Sequence, residues 1–436
     1  MSLELRELLE RVDGGAVGEP DLQAIERRSR QLRSVRAAGV AAAVLLVVVG
    51  GVIGIVRVGD VPNLPVIGQI EEPDEAPRDA PTGWERLEDP PYRSLEGHSL
   101  VATGGQLVMF GGVEAAGVFH AEGAVYDFAA GRWRELPGPD LEGRHGHVAV
   151  WTGDEMLVYG GDAETLDGAD AGAAYDPASG RWRRLSSFQP LLDPQGVWTG
   201  EALLVLGTPP TGGSEQIPAS VLGVYDPTTD RWTEAATSPH PARYGATLVW
   251  TGEELIVWGG TSGGDDPAAS PGAHGIAYDP TADRWRELPD APIEPRLLHS
   301  AVWTGQRMVV WGGTSDLGRV GHELADGAAY DPATDTWTAL PSAPLEPRAN
   351  HLAVVLDGRL VILGGNQRTG GSTWHATTDG AVLDLEDDTW NHLGELDQDV
   401  AGAPAATVGD TTIITIPHDT QGNPTFQLRL PVTTDD

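Results

Sequence analysis

The sequence predicts an all-β ring of four-stranded sheets, and three observations predict it. A tryptophan returns at Trp84, Trp133, Trp182, Trp232, Trp285, Trp337 and Trp390, at intervals of 49 to 53 residues. Between these tryptophans the same phrases recur in the same order. The segments joining the phrases alternate or are apolar over strand-like lengths and are bounded by Gly, Pro, Asp and Thr. Self-similarity at a period near 50 is the pattern of a β-propeller built blade by blade.

Each phrase has a structural purpose. The first strand of a blade ends at a Thr-Gly turn, as at Thr152-Gly153, Thr199-Gly200, Thr251-Gly252 and Thr304-Gly305. Such a turn suits a tight hairpin into the second strand. That strand ends in a glycine pair: Gly111-Gly112, Gly160-Gly161, Gly259-Gly260, Gly312-Gly313 or Gly364-Gly365. Paired glycines allow positive φ and the close approach of a neighbouring backbone. The third strand ends in Tyr-Asp, at Tyr126, Tyr175, Tyr225, Tyr278 and Tyr330, and the recurring Trp follows each of these by seven positions. Blade three departs with Gly207-Thr208, and blade six with Leu383-Asp384.

Gly-Gly, then Tyr, six residues and Trp resembles the kelch repeat, found also in the central domain of galactose oxidase. The resemblance covers roughly residues 84–430, most of the chain, and the propeller is expected over residues 84–436. Trp84 arrives before any other strand of a blade, and Thr411 to Ile416 and Thr425 to Leu430 are strand-like without a closing Trp. Joined, these ends are expected to make a seventh blade and so remove free sheet edges. The expected fold class is therefore a seven-bladed kelch-type propeller, preceded by one transmembrane helix and a short helical cytoplasmic tail.

The N-terminal elements are read as follows. Residues 1–36 hold seven arginines and seven acids, with Leu5, Leu8, Leu9 and Val12 on one helical stripe. Residues 37–56 are twenty residues without a charge, long enough as a helix to span roughly 30 Å of hydrocarbon. Arginines crowd the N-terminal flank and acids follow the other, which places the tail in the cytoplasm and the rest outside. Residues 57–83 carry five prolines and a cluster of acids, the composition of a stiff stalk. The tail resembles those of some bacterial anti-sigma factors, which implies a cytoplasmic partner and a signalling alternative.

Composition excludes several classes. Acids number 64 against 28 basic residues, all arginine, for a net charge of -36. Such a surface repels phosphate backbones, so no nucleic-acid partner is expected. There is no cysteine, so disulfides, thiolate metal sites and the cysteine-linked tyrosine of galactose oxidase are all ruled out. None of the five asparagines is a glycosylation acceptor. An outer domain without disulfides or acceptors suits a bacterial cell surface.

Two sets of residues are candidates for recognition. Arg144, Arg243, Arg296 and Arg348 stand at one repeat position, and His98, His147, His299 and His351 at another three residues beyond the arginine position. The resemblance to kelch domains that bind acidic peptides implies a ring of anion contacts, since guanidinium forks match carboxylates. Residues repeated this often also suit blade-to-blade glue. No His pair has local ligand spacing, so no metal or cofactor is expected. Trp374 fits no framework position; it lies in a polar loop with Asn366, Arg368 and His375. A Trp in such company suits stacking on a sugar or anchoring a partner. The expectation is a non-catalytic module for a protein or glycan. The alternative is a kelch-type sugar-acid epimerase recruiting Arg243, Arg296, Arg348 and Glu323.

Overall fold

The computed structural model describes residues 84–92, 95–114, 117–163, 171–210, 218–261, 275–315, 322–368, 374–395, 400–408, 411–415 and 425–429. Six blades are continuous in the chain, each an antiparallel four-stranded sheet in sequence order. Blade one is Ser99–Ala102, Gln106–Phe110, Gly123–Asp127 and Arg132–Leu136, and blade five is Ser300–Trp303, Met308–Trp311, Gly327–Asp331 and Thr336–Ala339. In blade six the second strand, Arg359–Leu363, is followed by a small ribbon, Asn366–Arg368 with Trp374–Ala376, before the third strand at Gly380–Asp384. A further four-stranded sheet is a composite of the chain ends. Ala405–Val408 pairs with Thr411–Thr415, that strand with Thr425–Arg429, and Thr425–Arg429 with Trp84–Arg86.

The expected fold class is corrected by this architecture. Six blades, not seven, are formed by continuous repeats, and the remaining sheet borrows its outermost strand from the other end of the chain. No helix is found among the described residues, and none there is long and apolar enough to cross a membrane. The expected tail, span and stalk at 1–36, 37–56 and 57–83 lie outside the described residues.

The burial of each strand follows its place in the blade. Second strands such as Met156–Tyr159 and Met308–Trp311 are buried at every residue, because a neighbouring blade covers each face. They accordingly read as apolar runs without alternation. Fourth strands such as Arg231–Glu234 are exposed except for the half-buried Trp. Each hydrophobic cluster draws on two adjacent sheets. Val108 and Phe110 pack with Met156, Val158 and Tyr175, while Ala406 of the composite sheet packs with Leu100, Leu107 and Met109 of blade one.

The recurring Trp does more than fill the wedge between blades. Its indole Nε1 donates to a backbone carbonyl just beyond the fourth strand of the preceding sheet. The pairs are Trp133 to Glu88, Trp182 to Pro137, Trp232 to Ser186, Trp285 to Ala236, Trp337 to Pro289 and Trp390 to Pro341, at 2.6–3.0 Å. Two residues before the Trp of blades three, four and five stands an aspartate in the left-handed region: Asp230, Asp283 and Asp335. Each accepts the hydroxyl of its own blade's Tyr at 2.5–2.8 Å. Asp230 also accepts the N–H of Ser186, and Asp283 that of Ala236. Trp and Asp thus grip both polar groups of one residue on the neighbouring blade. Where that residue is proline, as at Pro289, there is no N–H to accept and Asp335 takes Arg286 instead, at 3.2 Å.

Candidate functional site

The links between blades and the loops after the glycine pairs hold the residues singled out by sequence. Three of the four arginines are fully buried. Arg144 donates from Nη1 to the carbonyls of Gly160 and Ala171, Arg296 to Gly312 and Asp326, and Arg348 to Gly364 and Asp379. Arg296 is also paired with the Asp326 carboxylate at 2.8 Å and Arg348 with Asp379 at 2.7 Å. The Arg348 guanidinium beside Asp379 holds that carboxyl below the usual carboxylate range. Arg243 is half-buried, reaches the Gly259 carbonyl at 3.4 Å, and has its pKa lowered by burial.

Of the arginines expected to form a ring of anion contacts, three are buried. Arg144, Arg296 and Arg348 turn inward to the first glycine carbonyl of their own blade's pair, sixteen residues on. Their backbone carbonyls meanwhile accept the N–H of the second glycine of the preceding blade: Gly112 donates to Arg144, Gly260 to Arg296 and Gly313 to Arg348. Each arginine therefore stitches two blades, and its fork is not presented to solvent. The same burial withholds Arg296 and Arg348 from the substrate carboxylate that the epimerase alternative requires.

The histidines complete the stitch. His147, His299 and His351 are buried, and each Nε2 sits 2.8–2.9 Å from a hydroxyl on the innermost strand of the preceding blade: Ser99, Thr247 and Ser300. Their rings lie against the preceding glycine pair. His98 shares the burial, with Nδ1 at 2.8 Å from the Leu95 carbonyl. Burial lowers the pKa of His98 to about 4 and of the other three to about 3, with Arg144, Arg296 and Arg348 adding repulsion to their respective partners. These imidazoles are neutral packing groups. Among the described residues no cluster of three His, Asp or Glu is placed to hold a metal.

The glycine pairs owe their identity to this arrangement. At Gly312 φ is +64°, and a Cβ would stand 2.6 Å from Cε1 of His351 and 3.0 Å from the Arg348 carbonyl. Gly312→Ala is expected to lower stability by about 2–3 kcal/mol, from backbone strain together with overpacking. A urea titration followed by tryptophan fluorescence measures it, and an unchanged midpoint would refute the close packing.

The second set of residues gathers on the blade-six ribbon. Asn366 is buried and exchanges both backbone hydrogen bonds with Ala349, at 2.7 and 2.9 Å. Arg368 pairs with Trp374 across the ribbon, its guanidinium carbon 4.5 Å from the indole centroid. Arg368 Nε lies 3.0 Å from a carboxylate oxygen of Glu323, on the blade-five loop, with both side chains under a tenth exposed. The approach is an ion pair without hydrogen-bond alignment. Trp374 is half-buried and His375 exposed. A buried ion pair thus fixes the ribbon to the neighbouring loop and lays a cation over one face of the Trp ring. Sequence reasoning found Trp374 by its misfit but did not join it to Glu323.

A further ring of residues went unrecognised in the sequence. Immediately before each innermost strand, or at its start, one residue is left-handed: Gly97, Gly146, Asp193, Gly245, Leu298, Asn350 and Gly402, with φ between +48° and +68°. Backbone hydrogen bonds join them at three places. Gly146 N donates to Gly97 O, Asn350 N to Leu298 O, and Gly402 N to Asn350 O, at 2.9–3.0 Å.

A closed ring of four-stranded sheets, stitched by Gly-Gly against Arg and His and clasped at its rim by Trp, defines a kelch-type β-propeller. The chain matches the KLHDC2/KLHL20/DRC7 Kelch-repeats domain over residues 195–415, and it belongs to that kelch-repeat family. It is similar to Kelch-like protein terF of Aspergillus terreus, 32% identical over 142 residues covering 30% of each chain. It is also similar to human Kelch-like protein 34, 32% identical over 149 residues, or 32% of this chain and 22% of that one. The chain thus spans less than a third of either relative's length. Among solved structures, that of YjhT shares the fold with a TM-score of 0.50 and 13% identity, covering 80% of this chain and 98% of that one.

Proposed function

We propose that the protein is a non-catalytic binding module whose partner is another protein. The observation that carries this reading is the Glu323–Arg368–Trp374 bridge. It holds a two-stranded ribbon rigid between blades five and six, with Trp374 half-exposed and His375 in solvent. A preorganised aromatic anchor avoids the ordering cost that a mobile loop meets on binding. The kelch-repeat relatives support a protein partner over a glycan, and Arg368 already covers one face of the ring on which a sugar would stack. The uncharged run at 37–56 supports a membrane-tethered placement with the propeller outside.

The test is affinity capture with the full chain from its native membranes, comparing wild type with Trp374→Ala. The variant is expected to retain the propeller's melting temperature and to lose about tenfold or more of the captured partner, as for a central aromatic anchor. If neither form retrieves a protein, the reading fails. Protease treatment of intact cells tests placement: a propeller degraded from outside supports it, and one degraded only after lysis sinks it.

A further inference from the structure

Four of the fourteen tryptophans share a repeat position that neither the rim clasp nor the core accounts for. Trp151, Trp198, Trp250 and Trp303 end the first strands of blades two to five, opposite Met156, Leu203, Leu255 and Met308. The first strands of these four blades approach their neighbours within 8 Å, Cα to Cα. The four positions therefore follow one another in series. They stand at the other end of those strands from the arginine and histidine stitches.

Each ring rests in part on the hydrophobic cluster shared with the preceding blade, yet all four stay half-buried. Blade packing does not require an indole there, because Ala102 and Val355 hold the same position in blades one and six, opposite Leu107 and Leu360. The rim tryptophans use their N–H on the neighbouring sheet, and Trp258 and Trp311 are sealed in the core. Among the described residues none of these four indoles donates a hydrogen bond or meets another ring, and no guanidinium lies over one. Their N–H groups are not among the buried unpartnered atoms, so solvent reaches them. The turns that follow carry the charge. Glu155 and Glu254 are tied to Arg183 and Arg286 at 2.6 Å. Asp154 and Glu253 beside them, and Glu201 at the same place in blade three, are exposed and have no ion pair among the described residues. The Thr152 hydroxyl accepts the N–H groups of Asp154 and Glu155, that of Thr199 those of Glu201 and Ala202, and that of Thr251 those of Glu253 and Glu254. The turns are thereby fixed, and main-chain donors that a peptide would need are already taken.

We propose that this series of indoles and carboxylates binds a linear polyamine, an alkane chain interrupted by ammonium groups. The ammonium groups pair with Asp154, Glu201 and Glu253. The methylenes between them lie on the half-exposed rings of Trp151, Trp198 and Trp250, whose π-systems add attraction for the charge. The match is one of period. Each blade repeats one indole and one unpaired carboxylate, as the ligand repeats one apolar link and one charge. The field of the whole molecule acts in the same direction, since a chain of net charge -36 without lysine draws polycations and repels anions. The site is separate from the Glu323–Arg368–Trp374 bridge and does not rest on it.

The experiment is calorimetric titration of the full chain with spermine, spermidine, putrescine and magnesium at about 0.15 M salt, where exposed charges are screened beyond roughly 8 Å. Affinity is expected to rise from putrescine through spermidine to spermine, with magnesium weaker than spermine. Trp198→Leu keeps an apolar group on its cluster and is expected to weaken spermine about tenfold, the loss of one ring from a cation site, while leaving magnesium unchanged. Joint replacement by Asp154→Asn, Glu201→Gln and Glu253→Gln is expected to cost about as much, at an unchanged melting temperature, because these carboxylates are exposed and unpaired. Spermine that binds no tighter than magnesium, or that ignores both sets of substitutions, reports counterion attraction alone and overturns the site. A tetra-arginine peptide that binds the same residues more tightly than spermine overturns the ligand class. Capture of a protein through Trp374 is unaffected by any of these results.

Discussion

Replacing Arg348 with alanine is expected to cost about 3–5 kcal/mol of stability, the range for removing one partner from a buried ion pair. The guanidinium is fully buried and donates to the carbonyls of Glu346, Gly364 and Asp379, to the Thr377 hydroxyl, and to both oxygens of the Asp379 carboxylate. Alanine leaves those acceptors in a low-dielectric site without a donor, and an unmet buried acceptor carries the full desolvation penalty. Arg348→Lys restores the charge but not the planar fork, so it recovers only part of the loss. Arg243 provides the contrast. It is half-buried and its bond to the Gly259 carbonyl is long, at 3.4 Å, so Arg243→Ala is expected to cost less than half as much. Chemical denaturation of the three variants measures the order. Equal losses for Arg243→Ala and Arg348→Ala would contradict the assignment of Arg348 to the blade-six stitch.

That contrast also shows what was legible in the sequence. The repeat of Trp, Gly-Gly and Tyr-Asp revealed the blades because every blade meets its neighbour through the same surface, so the same side chains recur. The direction of the arginines was legible too, though in a different number. All four stand sixteen residues before the first glycine of their blade's pair, and that constant interval reflects the bond from guanidinium to glycine carbonyl. Counting from the Thr-Gly turn instead gives the position of the arginine but not its orientation. The Glu323–Arg368 pair had no such signature, because it joins loops of different length on adjacent blades and occurs once. The left-handed ring escaped for a related reason. Four of its members are glycines of ordinary appearance, and Asp193, Leu298 and Asn350 declare themselves only through backbone angles.

The four buried histidines give the second large effect, a loss of stability in mild acid. Burial places the folded-state pKa of His98 at about 4 and of His147, His299 and His351 at about 3, against 6.5 for an unburied imidazole. Above pH 6.5 all four are neutral whether folded or not, and they impose no proton-linked cost. As pH falls below 6.5 the unfolded chain binds protons that the folded ring refuses, and stability is lost until the folded pKa values are reached. Each histidine contributes about 1.4 kcal/mol per pH unit in that window, so four contribute on the order of 5 kcal/mol per unit. Between pH 6.5 and 5 the total approaches the whole stability of an ordinary domain, about 5–15 kcal/mol. Carboxylates act later. Asp176, Asp226, Asp230, Asp283 and Asp379 are held below the usual carboxylate range by hydrogen bonds and, for Asp379, by Arg348, so their contribution is lost at lower pH. Protonating the acidic surface relieves repulsion and opposes the loss, but salt screens that repulsion and leaves the buried imidazoles almost untouched. The ring is therefore expected to unfold cooperatively between about pH 6 and pH 4 in both low and high salt. His351→Asn is expected to shallow the slope by one proton's worth. Circular dichroism and tryptophan fluorescence across the titration measure both. A ring that keeps its urea midpoint from pH 7 to pH 4.5 would show that these imidazoles accept protons in place.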